Sequence, residues 1–152
     1  LLGAHFNLLK FRSMVVDADA MKDQLLAKNE QTGPVFKMKH DPRITRIGRF
    51  IRKFSIDELP QLVNILRGDM TLVGPRPALF NQHDLIAMRQ AAGVDALRPG
   101  LTGWAQVNGR DEIPMERKVA YDREYLDRLS PGFDTWILVR TALTLFTMRG
   151  VR

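Results

Sequence analysis

Residues 45–66 read TRIGRFIRKFSIDELPQLVNIL, and two helical patterns meet in that stretch. Ile47, Phe50, Ile51 and Phe54 recur at helical spacing, with Arg46, Arg49, Arg52 and Lys53 on the other side. This is a short basic amphipathic helix of the kind that lies on an anionic membrane surface. Ser55-Ile56-Asp57-Glu58 matches a capping box, with Ser55 as N-cap and Glu58 at the third helical position. Leu59, Leu62, Val63 and Leu66 follow at i, i+3, i+4 and i+7, which predicts a core-facing helix. Pro60 lies close enough to the start to be tolerated, and Gly68 stops the helix.

Outward from this stretch the strands are few. Residues 6–14 (FNLLKFRSM) read as a strand with Lys10 and Arg12 on one face. Residues 17–30 read as an exposed helix, broken by Gly33-Pro34. A short strand over 70–73 runs into the stiff turn Gly74-Pro75-Arg76-Pro77, and a helix over 82–92 follows. Residues 101–107 read as a strand closing at Asn108-Gly109-Arg110, and a helix over 114–129 comes next. The last helix, 134–148, carries Trp136, Ile137, Leu138, Val139, Leu143, Leu145 and Phe146 and is apolar nearly all round. No repeat, low-complexity tract or linker divides residues 1–152. Helices dominate and the strands do not alternate with them, which predicts α+β: a mainly helical single domain with a few short strands and amphipathic membrane-interface helices.

Composition narrows the chemistry. The 152 residues are 45% hydrophobic and 26% charged, ordinary for a folded chain, and cysteine is absent. Disulfides, thiolate metal sites and thiol catalysis are therefore excluded. No apolar run reaches the length of a membrane-spanning helix. The net charge of +6 is concentrated. Residues 37–53 hold Lys37, Lys39, Arg43, Arg46, Arg49, Arg52 and Lys53 against Asp41 alone, and the rest of the chain is neutral. Such a segment implies an anionic partner: nucleic acid, a lipid head group or a phosphorylated substrate.

Phosphate-loop, dinucleotide-fold, nucleophile-elbow and zinc-protease motifs are all missing. His5, His40 and His83 are scattered without ligand spacing. Asp57-Glu58 admits two readings. Acids in a first helical turn complement the macrodipole. Adjacent carboxylates beside a basic segment can also divide labour, one attacking phosphorus and the other holding Mg²⁺. Asp111-Glu112, before Pro114, reads as a helix-entry acid cluster. Arg76 between its prolines and Arg110 after the Asn108-Gly109 turn are loop arginines suited to phosphate recognition.

Five blocks then fall in one order: Lys10-Phe11-Arg12-Ser13-Met14, residues 41–49 (DPRITRIGR), 55–62 (SIDELPQL), 68–77 (GDMTLVGPRP) and 99–110 (PGLTGWAQVNGR). Together they resemble the bacterial sugar transferase family, the monotopic phosphoglycosyl transferases that start surface-glycan synthesis. The resemblance runs from about Phe6 to the C-terminus. It implies transfer of a sugar 1-phosphate from a UDP-sugar to polyprenyl (undecaprenyl) phosphate, with release of UMP. The family's dyad falls on Asp57, the implied nucleophile, and Glu58, both bearing on Mg²⁺. Arg76 and Arg110 fall on family arginines associated with the phosphates, and Lys10 and Arg12 on a block near the site. Arg43, Arg46, Arg49, Arg52 and Lys53 would face the membrane or its anions. The implied location is the cytoplasmic face of the bacterial inner membrane.

The family's N-terminal membrane helix precedes the KFRSM-type block, so a longer protein with that anchor upstream is expected. The alternative reading is a non-catalytic basic module on a membrane surface or nucleic acid. Against nucleic acid, the basic side of residues 45–54 offers no aromatics for stacking. The sugar and the oligomeric state have no signature in the sequence.

Overall fold

The computed structural model describes residues 5–25, 38, 41–109 and 113–147. Its secondary structure is mainly helical with one two-stranded parallel sheet, the α+β class that the sequence predicts. Contacts divide the chain into a unit of residues 10–60 and a larger unit in which the first nine residues join 61–151.

The 10–60 unit contains α1 (Ala18–Leu25) and α2 (Arg46–Lys53). The expected helix over 17–30 is thus described only as far as residue 25. The expected strand over 6–14 does not form. Its residues take no regular secondary structure, and among the described residues their only bridge is antiparallel, Met14 to Ile44. The Val15 N–H donates to the Arg43 carbonyl at 2.9 Å and the Thr45 N–H to that of Ser13 at 3.1 Å. The ladder stops there because Thr45 already caps α2, its hydroxyl accepting the Gly48 N–H at 2.8 Å. Gly48 lets the helix lie on this segment, since a Cβ there would collide with the Ser13 carbonyl. Ile47, Phe50 and Phe54 leave their side chains exposed, as do Arg46, Arg49, Arg52 and Lys53.

Arg43 departs from its expected anion-facing role, being only 4% exposed. It precedes the helix, so the face rule never applied to it. Its Nη2 donates to Asp41 Oδ2 at 2.6 Å, its Nε to Oδ1 at 2.9 Å, and its Nη1 to the Ala18 carbonyl at 3.3 Å. The guanidinium holds the Asp41 carboxyl below the usual carboxylate range. Arg43→Met leaves a buried carboxylate unpaired and is expected to lower stability by about 3 kcal/mol, read from a thermal melt.

The larger unit contains α3 (Gln61–Leu66), β1 (Thr71–Val73), α4 (His83–Ala91), β2 (Gly100–Thr102), α5 (Trp104–Val107), α6 (Met115–Asp127) and α7 (Pro131–Thr147). The strands pair in parallel, Thr71 with Gly100 and Val73 with Thr102. Val73, Tyr125, Phe133 and Ile137 form the core, with Leu97, Trp104 and Val107 packed on it. Trp104 meets Phe133 edge-on at 5.1 Å between centroids. The expected strand over 101–107 ends at Thr102. Gly74-Pro75 terminates its partner, and Pro75 has no N–H to continue a ladder, so the chain satisfies its backbone as α5 instead. α7 begins one turn earlier than predicted, with Pro131 as its first residue and the Ser130 hydroxyl accepting the Phe133 N–H at 3.3 Å. No described helix is long and apolar enough to cross a membrane.

α3 corrects two expectations. It starts at Gln61, because Pro60 cannot sit inside a helix that began at Ile56 without clashing with the Ile56 carbonyl. Its buried residues are Gln61 and Asn64, while Leu59 before it and Leu62, Val63 and Leu66 on it are exposed, Leu66 by 87%. Asn64 is drawn inward as a backbone clamp. Its Nδ2 donates to the Asn7 carbonyl at 2.9 Å and its Oδ1 accepts the Leu9 N–H at 3.1 Å.

Candidate active site

The acidic pair sits where the 10–60 unit changes direction after α2. Ser55 adopts the left-handed region with φ 55°, a conformation costing a non-glycine residue roughly 1–2 kcal/mol. Its N–H donates to the Arg52 carbonyl at 3.1 Å, and the chain then winds into a single 3-10 turn, Ile56–Glu58. The Ser55 side chain makes no capping bond, so the expected capping box is absent. Local bonds close the turn, the Glu58 N–H to the Ser55 carbonyl at 3.2 Å and the Leu59 N–H to that of Ile56 at 3.1 Å, and a non-local one ties it down: the Phe11 N–H donates to the Asp57 carbonyl at 3.0 Å.

That bond brings Lys10 to the dyad. Its Nζ donates to Glu58 Oε1 at 2.9 Å and stands 4.0 Å from Asp57 Oδ2. Asp57 is 7% exposed. Burial pushes its carboxyl up, Lys10 and Arg52 pull it back, and the neighbouring Glu58 charge adds to the rise. A buried carboxylate beside a second carboxylate, with one ammonium serving both, is an arrangement found where carboxylates do chemistry. Arg12, from the same segment, is exposed.

Arg76 belongs to the larger unit and is exposed between buried Pro75 and half-buried Pro77. Its turn is tied down on each side. The Gly74 N–H donates to the Thr102 carbonyl and the Gly100 N–H to the Pro75 carbonyl, both at 2.8 Å, and Arg89 Nη1 donates to the Arg76 carbonyl at 2.8 Å. Arg110, Asp111 and Glu112 lie outside the described residues, as do Lys37, Lys39 and His40. His5 and His83 are exposed. No group of three or more metal-ligating side chains occurs among the described residues. The Arg89–Asp122 contact was not legible in the sequence, because nothing in local spacing links residues 33 apart.

Residues 1–148 match the family model for bacterial sugar transferases. The chain belongs to that family. Among curated bacterial sugar transferases and their relatives, it is 42% identical to the galactosyl transferase CpsE of Streptococcus agalactiae, over 99% of this chain and 33% of that protein. It is 41% identical to the undecaprenyl-phosphate galactose phosphotransferase of Salmonella typhimurium, over 97% and 32%. It is also 41% identical to the UDP-glucose:undecaprenyl-phosphate glucose-1-phosphate transferase of Xanthomonas campestris, over 93% and 28%. The chain thus spans about a third of the length of these sugar transferases.

Proposed function

We propose that the protein containing this chain is a phosphoglycosyl transferase, moving a sugar 1-phosphate from a UDP-sugar to polyprenyl phosphate with release of UMP. The observation that carries this is the buried Asp57 carboxyl beside Glu58, with the Lys10 ammonium 2.9 Å from the latter and 4.0 Å from the former. The relatives' names, which pair UDP-sugars and galactose or glucose phosphate transfer with undecaprenyl phosphate, support the substrate classes.

In the proposed sequence, an Asp57 carboxylate oxygen forms a bond to the sugar-bearing β-phosphorus, and the bridging oxygen leaves with UMP. Polyprenyl phosphate then attacks the same phosphorus. The aspartyl bond breaks, the carboxylate is regenerated, and polyprenyl-diphosphate-sugar departs. Two like-charged reactants repel strongly in a desolvated site, so cations must accompany the approach. Lys10 supplies one. Arg76 and Arg110 are the proposed phosphate-binding arginines, with Arg12 in support.

Asp57 and Glu58 would also hold Mg²⁺. Two hard carboxylate donors fit an ion that completes its shell with water and substrate phosphates rather than with a full protein cage. Bound there, Mg²⁺ would neutralise charge on the diphosphate and on the leaving UMP. The exposed apolar side chains of Ile47, Phe50 and Phe54, with Arg46, Arg49, Arg52 and Lys53 on the same helix, support an orientation on an anionic membrane surface. We place that surface on the cytoplasmic leaflet of the bacterial inner membrane.

The deciding experiment is UMP release by the full-length protein from a panel of UDP-sugars, with Mg²⁺ and polyprenyl phosphate. Release with one sugar supports the reading and identifies the donor, and no release with any sugar overturns it. The raised Asp57 carboxyl adds a pH signature. Only the ionised form attacks, so the rate is expected to fall on acidification as the Asp57 carboxyl takes up its proton. Lys10→Met removes a cation that favours ionisation, so the midpoint of this fall should move to higher pH while the maximal rate drops. A midpoint that stays in place would mean that Lys10 does not act on Asp57.

A further inference from the structure

The larger unit contains a buried ion pair that none of these roles uses. Asp122, on α6, is 2% exposed. Arg89, on α4, donates to its Oδ2 from Nε at 2.9 Å and from Nη2 at 2.7 Å. A pair of apolar side chains would join α4 to α6 without burying two charges, and such replacements are often neutral or stabilising. What the ion pair adds is direction. The guanidinium is a rigid plane, so two donors fixed on Asp122 determine where the third points. It points at the Arg76 carbonyl, 2.8 Å away.

That carbonyl belongs to the peptide between Arg76 and Pro77. The prolines fix φ at their own positions but leave the orientation of the Arg76 peptide open. The Gly100 N–H on the Pro75 carbonyl holds the incoming side of the turn, and Arg89 holds the outgoing side. We propose that Arg89, anchored by Asp122, is a positioning residue for donor binding: it sets the peptide plane after Arg76 and so aims the Arg76 guanidinium at the diphosphate of the UDP-sugar. This rests on the reading of Arg76 as a phosphate-binding residue.

The test measures KM for the UDP-sugar and kcat of the full-length protein in the UMP-release assay. Arg89→Lys keeps a cation for Asp122 but cannot serve a carboxylate and a carbonyl with one rigid plane. It is expected to raise KM about tenfold, since a misplacement near 1 Å has effects of that order or larger. The same substitution added to Arg76→Ala should change nothing further, because no guanidinium is left to aim. If Arg76→Ala raises KM while Arg89→Lys does not, or if the two effects multiply, the positioning role is overturned and the phosphate role of Arg76 stands. If Arg76→Ala leaves KM unchanged, the phosphate role falls and the positioning role with it. Should Arg89→Lys fail to fold, the neutral pair Arg89→Gln with Asp122→Asn, which also lacks the third donor, is read by the same comparison.

Discussion

Asp57→Asn is expected to eliminate UMP release, lowering the rate by ~10⁴-fold or more, the scale on which nucleophile removal acts in enzymes with covalent intermediates. The amide has the size of the carboxyl but cannot form the bond to phosphorus. Stability should move the other way. Burial disfavours the charged Asp57, and the Lys10 ammonium stands 4.0 Å away and nearer to Glu58, so the neutral amide relieves a desolvation cost while its oxygen can still accept the backbone hydrogen bond. Melting of the full-length variant at or above the wild-type temperature, together with lost turnover, is the combined result expected. Retained turnover would rule out Asp57 as nucleophile. A large drop in melting temperature would mean that the carboxylate is a structural group of the 3-10 turn.

Gly100→Ala should destabilise the protein as strongly as the loss of the Arg43 pair, by a steric route. Gly100 begins β2 against the turn that follows β1, and a Cβ there would collide with the backbone nitrogen and Cα of Gly74 and the carbonyl of Thr102. All three are main-chain atoms, so no side chain can swing aside. Relief requires the β1–β2 pair to spread, breaking the Gly74 bond to Thr102 and the Gly100 bond to Pro75. A loss of about 3 kcal/mol is expected. In a chain of this size that lowers the melting temperature by roughly 10 °C. An unchanged melt would mean that the strands are not packed this closely.

Much of this architecture is legible in the sequence where local rules act alone. Thr45 and the spacing of Ile47, Phe50 and Phe54 place α2. The helices near 82–92 and 114–129 appear within a residue or two of their predicted ends. The failures have non-local causes. The apolar spacing of Leu62, Val63 and Leu66 predicts a buried face, yet Asn64 is buried because the backbone at Asn7 and Leu9 needs a partner, which no window around residue 64 contains. The capping-box pattern at Ser55 is equally local, and the left-handed backbone of Ser55 takes its hydroxyl out of capping position. For the site, adjacency makes Asp57 and Glu58 visible. Period-2 alternation puts Lys10 on a face, but its meeting with Glu58 spans 48 positions and depends on the Phe11 bond to Asp57. Arg43 reads as one more cation in a basic run because the sequence cannot show that Asp41 turns back to hold it.

Residues 11 and 13 are each pinned to a different part of the 10–60 unit, the first to the Asp57 carbonyl and the second through Thr45 to the start of α2. Two fixed points two residues apart leave no slack. Adding or deleting a single residue beside a pinned position shifts every neighbouring side chain by one place along the backbone. This stretch therefore tolerates changes of side chain far better than changes of length. An exposed position such as Arg12 can be exchanged with the backbone undisturbed. One residue inserted between 10 and 11 puts a new side chain beside the pinned Phe11, where Lys10 stands, and carries the ammonium one position away from both carboxylates.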